Sequence, residues 1–164
     1  MITDDRLADE GKLAMRYLLV DYIHAYEPGK SIEGIKNVAM SEDYLEFHFP
    51  NNPIMPGVMM LEAFTQLAGW LVAASSDFQN WFLVGTVKKS SFYGLVLPGD
   101  QLKLDVQLVS EDGSGQITFN GLGSVNGKKK VMARVSGKAV PLDAIDDVEA
   151  QKDFFKILTR TAKR

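Results

Sequence analysis

The chain has 164 residues, 46% of them hydrophobic, a formal net charge of -3, two histidines and no cysteine. That length suits one domain with a sizeable core. The composition excludes a disulfide framework, a thiolate nucleophile and a cysteine-ligated metal, and the acidic balance argues against bulk nucleic-acid binding.

The start, Met1-Ile2-Thr3-Asp4-Asp5-Arg6, is acidic and polar without an apolar signal region, which points to a cytoplasmic protein. Residues 3–16 read as a short helix capped by Thr3 or Asp4. Residues 17–27 are strand-like, Glu27-Pro28-Gly29-Lys30 is a turn, and 31–39 alternates through Ile32, Ile35 and Val38, so the two runs form a hairpin. A helical turn capped by Ser41 leads to His48.

Residues 58–74 are nearly all apolar, and a helix apolar on every side belongs inside a protein. The run is marginal for a membrane span, and none is expected. Glu62, Thr65 and Gln66 interrupt it at i, i+3 and i+4, so they share one face, which Gly69 leaves open. Further strands are expected at 81–87, 92–96, 101–109, 117–125 and 131–140. The second of these follows a Lys88-Lys89-Ser90-Ser91 break, and 101–109 alternates cleanly. Residues 1–140 then form one α+β domain, with a sheet covering a helix. Residues 141–164 form a C-terminal amphipathic helical extension, with Phe154, Ile157, Leu158 and Thr161 as its apolar face.

Chemistry concentrates at 48–66. Pro53 and Pro56 forbid regular structure up to Gly57, where the backbone can approach a ligand and free helix N–H groups can face an oxyanion. A carboxyl at Glu62 on a buried helix is paired, neutralised or functional. An imidazole, an oxyanion site and a carboxyl suffice for acid–base chemistry beside a carbonyl. His24 sits in a strand without partners and reads as structural. Gly121-Leu122-Gly123-Ser124-Val125-Asn126 falls short of a dinucleotide fingerprint, and the residue types argue against zinc. No cofactor is implied.

His48-Phe49-Pro50, Pro53, Met55-Pro56-Gly57-Val58, Glu62-Ala63 and Gln66 together resemble the signature of the β-hydroxyacyl-acyl-carrier-protein dehydratases, FabZ type. Arg16-Tyr17, Leu18-Leu19-Val20-Asp21, Gly34-Ile35-Lys36-Asn37-Val38, Phe92 and Leu97-Pro98-Gly99-Asp100-Gln101-Leu102 extend the match over roughly residues 15–140. The resemblance implies the hot-dog fold, a curled antiparallel sheet around a long central helix, and homodimers or hexamers with shared active sites. It implies dehydration of 3-hydroxyacyl thioesters carried by an acyl carrier protein on a phosphopantetheine arm. His48 is then the base at C2, and Glu62, its pKa raised by burial, the acid at C3. Gly57, Val58 and Gln66 are the expected oxyanion and substrate-binding residues; backbone donors of this kind are worth roughly 3 kcal/mol each. Lys88, Lys89, Lys128 to Lys130 and the tail cations are candidates for meeting an acidic carrier. The chain departs from the family pattern at Phe47, at Tyr93-Gly94 and in lacking Leu-Pro-His-Arg near its start. A hot-dog thioesterase and a non-catalytic acyl-binding subunit are the rival readings.

Overall fold

The computed structural model describes residues 17–161. The helix expected over 3–16 lies outside the described residues. Six antiparallel strands form one sheet in the order β1-β2-β4-β5-β6-β3. The strands are β1 (Tyr22–Glu27), β2 (Ser31–Asn37), β3 (Asn80–Phe92), β4 (Gln101–Glu111), β5 (Gln116–Val125) and β6 (Lys128–Pro141). A short helix α1 (Tyr44–Phe47) and the long helix α2 (Gly57–Ser75) separate β2 from β3, and α3 (Val148–Leu158) ends the described chain.

The wrapped helix expected at 58–74 is α2, one residue longer at each end. By length and composition alone it meets the requirement for a membrane span. Nine of its nineteen residues are buried among the strands, including Phe64, Leu67, Trp70 and Leu71, so it is a core helix. The alternation of β4 is realised: Leu102, Leu104 and Val106 are buried against it. Close approach is needed where α2 crosses the start of β3. A Cβ on Gly69 would lie 2.3 Å from Cε2 and Cζ2 of Trp81. Gly69 therefore does not leave its side of the helix open, as the sequence suggests; the Trp81 indole occupies it, edge-on to Trp70 at a centroid distance of 5.0 Å.

The strands expected at 81–87 and 92–96 are corrected to one continuous strand. Lys88, Lys89, Ser90 and Ser91 read as a break, yet they continue β3, which pairs with β6 from Asn80↔Pro141 to Phe92↔Val131. Two register shifts, between Val84 and Thr86 and between Val87 and Lys89, absorb the irregularity. β3 is an edge strand, where charged residues are ordinary. Residues 93–97 are not a strand; Val96 accepts a hydrogen bond from Met55 N at 2.9 Å and so ties the loop before α2 to the loop after β3. Ser41 does not cap α1; Asp43 occupies the cap position without a side-chain bond.

The C-terminal segment returns to the same core. Leu142 N donates to the Gln79 carbonyl at 2.9 Å, and Asp147 caps α3 by accepting from Ala150 N at 2.6 Å. The buried stripe of α3 is Gln151, Phe155 and Leu158, at i, i+4 and i+7; the expected member Ile157 faces solvent. The difference is one of phase: Phe155 inserts between Tyr26, Trp70 and Phe78, with centroids 5.3, 5.6 and 5.4 Å away.

Gly69→Ala is expected to destabilise the protein by about 1–3 kcal/mol, because a methyl group has no space against Trp81. Urea unfolding followed by tryptophan emission measures this, and an unchanged midpoint would contradict the packing.

Candidate active site

His48 follows α1 directly, and its backbone N–H donates to the Tyr44 carbonyl at 3.1 Å. Its Nδ1 lies 3.0 Å from the Ile54 carbonyl oxygen. A carbonyl only accepts, so this bond requires Nδ1–H and leaves the lone pair of the neutral ring on Nε2. The next residue, Phe49, has φ 62, a conformation that costs a non-glycine residue on the order of 1–3 kcal/mol. Its ring stands 4.6 Å from the imidazole, centroid to centroid. Phe47, the departure before His48, is 81% exposed, so it supplies no packing behind the imidazole within one chain.

Behind α1 a buried ionic group holds the segment. Lys36, only 4% exposed, places Nζ 2.5 Å from Glu42 Oε1 and 3.5 Å from Asp21 Oδ2. Burial, with Glu42 and Asp21 adding repulsion, pushes the Tyr44 phenol well above its ordinary range, so it remains a neutral hydroxyl. These partners lie far apart in sequence, and nothing in their spacing announces the cluster.

Pro56 occupies the N-cap position of α2 with extended ψ, so the first N–H groups, those of Gly57 and Val58, lack acceptors within the helix. Gly57 also has a packing reason to be glycine: a Cβ there would lie 2.8 Å from Cε1 of Phe92. Val58 is 68% exposed, an unusual position for valine in one chain.

One turn on, the Glu62 carboxylate accepts from Thr65 Oγ1 at 2.8 Å and from Gln66 Nε2 at 3.0 Å. The same amide donates to the Tyr17 carbonyl at 2.8 Å, while Gln66 Oε1 accepts from Leu19 N at 2.9 Å. Gln66 thus fastens Glu62 to the segment before β1. Thr65 was recognisable as a face-mate of Glu62, but its hydroxyl contact needs the helix rotamers. The expected burial of Glu62 is corrected: within one chain it is exposed, because it projects from the face of α2 that the sheet does not wrap. The groove of about 290 Å³ beside Glu62 and Gln66 is not lined by His48. One chain therefore holds the imidazole and the carboxyl in separate hydrogen-bonded groups.

Other sequence candidates resolve plainly. His24 does have a partner, Glu33 Oε2 at 2.8 Å from its Nε2. Lys130 donates to the Leu95 carbonyl and Lys129 sits 5.2 Å over the Tyr93 ring, so these two cations serve local structure. Among the described residues no group of three His, Cys, Asp or Glu is placed to hold a metal ion.

Residues 13–134 match the FabA-like domain family. The 3-hydroxyacyl-[acyl-carrier-protein] dehydratase FabZ of Clostridium acetobutylicum is 40% identical over 120 residues, covering 73% of this chain and 84% of that one. The chain belongs to the FabZ-type dehydratase family. The FabZ of Histophilus somni strain 2336 is similar at 39% identity over 121 residues, covering 73% of this chain and 80% of its own. Among solved structures, a hot-dog-like protein from Thermanaerovibrio acidaminovorans superposes with a TM-score of 0.59 at 14% identity, over 85% of this chain and 96% of that one. The fold is the hot-dog fold expected of the family.

Gln66→Leu leaves the part-buried Leu19 N–H without its partner, a loss of about 1–3 kcal/mol, while the exposed Tyr17 carbonyl turns to water. The expected results are a lower urea midpoint and faster hydrogen exchange at Leu19. Unchanged Leu19 protection would show that the amide does not hold this segment.

Proposed function

We propose that this chain is a cofactor-independent hydro-lyase that dehydrates 3-hydroxyacyl thioesters on an acyl carrier protein to trans-2-enoyl thioesters, in cytoplasmic fatty-acid synthesis. The observation that carries this reading is the pair of prepared groups in a FabZ-type chain. His48 has Nδ1 committed to Ile54, and the Glu62 carboxyl is clamped by Thr65 and Gln66. His48 Nε2 takes the C2 proton as general base. The electron pair moves toward the thioester carbonyl, whose developing charge faces the Gly57 and Val58 N–H groups at the start of α2. The C2–C3 double bond forms as the C3 hydroxyl departs with a proton from Glu62, so water leaves.

Two copies of the chain complete the site. Glu62 and Val58 lie on the uncovered face of α2, and the adjoining edge strand β3 exposes Leu83, Val84 and Val87. An exposed apolar edge of this kind pairs or aggregates. A second copy over this surface gives a homodimer in which His48 of one chain serves with Glu62 of the other. It also withdraws the carboxyl from water, the condition under which a carboxyl keeps a proton for the leaving hydroxyl. For the carrier protein, Lys88, Lys89 and Arg134 border a concavity of about 590 Å³ on the sheet face turned away from α2. Asp105 lies in it too, and burial together with Glu33 raises its pKa.

His48→Ala and Glu62→Gln are each expected to lower the dehydration rate by about 10²-fold or more, read as enoyl-thioester absorbance. Refolding the two variants together restores about a quarter of the wild-type sites, since half of the dimers are mixed and each holds one intact pair. Free acid in place of enoyl product would indicate a thioesterase, and absent complementation would place both groups in one chain. Reversing the cations, Lys88→Glu with Lys89→Glu, raises KM about tenfold for carrier-borne substrate and leaves the pantetheine thioester unaffected. An equal effect on both substrates would remove this surface from carrier recognition.

A further inference from the structure

We infer that the segment after β6 forms the end wall of the acyl site and limits the substrate to medium-chain 3-hydroxyacyl groups of up to about ten carbons. This inference rests on the dehydratase reading. The family match ends at residue 134, whereas the groove beside Glu62 is walled in part by residues beyond it. From Glu62 and Gln66 the groove follows α2 to Trp70, eight residues and about 12 Å of helical rise further on. Trp81, Phe154 and Ile145 supply its apolar walls there. The Phe154 ring stands 5.9 Å from that of Trp70, so α3 closes directly on the helix that carries the carboxyl.

The occupant follows from what lines the groove. A thioester whose C3 meets Glu62 directs its alkyl tail along α2, onto indole and phenyl surface. Asp146 and Gln151 interrupt the apolar lining: Asp146 Oδ2 accepts from Nε2 of the buried Gln151 at 2.6 Å, and both residues line the groove. Hydrocarbon laid over this pair would take a carboxylate and an amide out of water and gain no apolar contact, so the apolar length offered to a tail stops there. The volume, about 290 Å³, holds on the order of ten groups of water size. It lies just below the usual range for small-molecule sites, which matches a chain of medium length.

The protein's two tryptophans, Trp70 and Trp81, both line the groove and report on it without a label. The full chain is titrated with saturated acyl-pantetheine thioesters of four to sixteen carbons while tryptophan emission is followed. In parallel, kcat/KM is measured for 3-hydroxyacyl-carrier substrates of the same lengths. Affinity and kcat/KM are expected to rise with each added pair of carbons to about C10 and then level or fall. Phe154→Ala, and separately Asp146→Leu with Gln151→Leu, raise the C14 to C8 ratio of kcat/KM about tenfold. Ile145→Trp lowers the ratio of C10 to C4 by a similar factor. Circular dichroism of each variant verifies the fold. Emission unmoved by any acyl thioester, or a length profile the same in all folded variants, would overturn the inference. If emission responds with length but no enoyl product forms, the acyl wall stands and the dehydratase reading fails; turnover with an unaltered profile gives the reverse.

Discussion

The molecule is governed by the fact that α2 is wrapped on all sides but one. Phe64, Leu67, Trp70 and Leu71 take the buried directions, and Trp81 presses into the gap that Gly69 provides. Apart from Ser75 at its end, the polar side chains of α2 lie on the line through Val58, Glu62, Thr65 and Gln66. A carboxyl in place of Phe64, Leu67 or Leu71 would face hydrocarbon with no partner, a cost comparable to the whole stability of a domain, about 5–15 kcal/mol. The sheet thus selects which helix positions can carry polar side chains.

His48 and Glu62 are each oriented by neighbouring groups. The Ile54 carbonyl fixes the imidazole tautomer, and Gln66 divides its amide among Glu62, Tyr17 and Leu19. Phe49 is held in a costly backbone conformation beside His48. Strain of this kind persists where the surroundings over-determine it, here through Pro50 on one side and the Asn52 N–H to Phe49 carbonyl bond of 2.8 Å on the other. The cost falls on the loop, and the rigid parts of the fold, α2 and the central strands, absorb it.

Much of this was legible in the residues. The alternation of 101–109 and the apolar run of 58–74 each correspond to an element as found, whereas the motif from His48 to Gln66 divides within one chain into two separate hydrogen-bonded groups. The misreadings have distinct physical origins. Lysines and serines inside β3 look like a loop because composition does not reveal that a strand lies at an edge. The phase of α3 was misjudged because Phe154, Phe155, Ile157 and Leu158 offer several apolar stripes, and only the socket between Tyr26, Trp70 and Phe78 chooses among them. Glu62 looked buried because its neighbours are apolar, yet local sequence does not say which direction is left uncovered. The Lys36, Glu42 and Asp21 group was invisible for the same reason: its members meet only through the hairpin and the loop after it.

The paired slips of β3 against β6 carry a further implication. Each bulge adds one residue to β3, and one extra residue alone would invert the facing of everything beyond it. Two restore the original parity, so the strand enters with Phe82 turned into the core and ends with Phe92 over Gly57. The length of this strand is therefore quantised. Natural variation along it should survive as changes of two residues, while a lone insertion or deletion rotates the aromatic ring away from the start of α2.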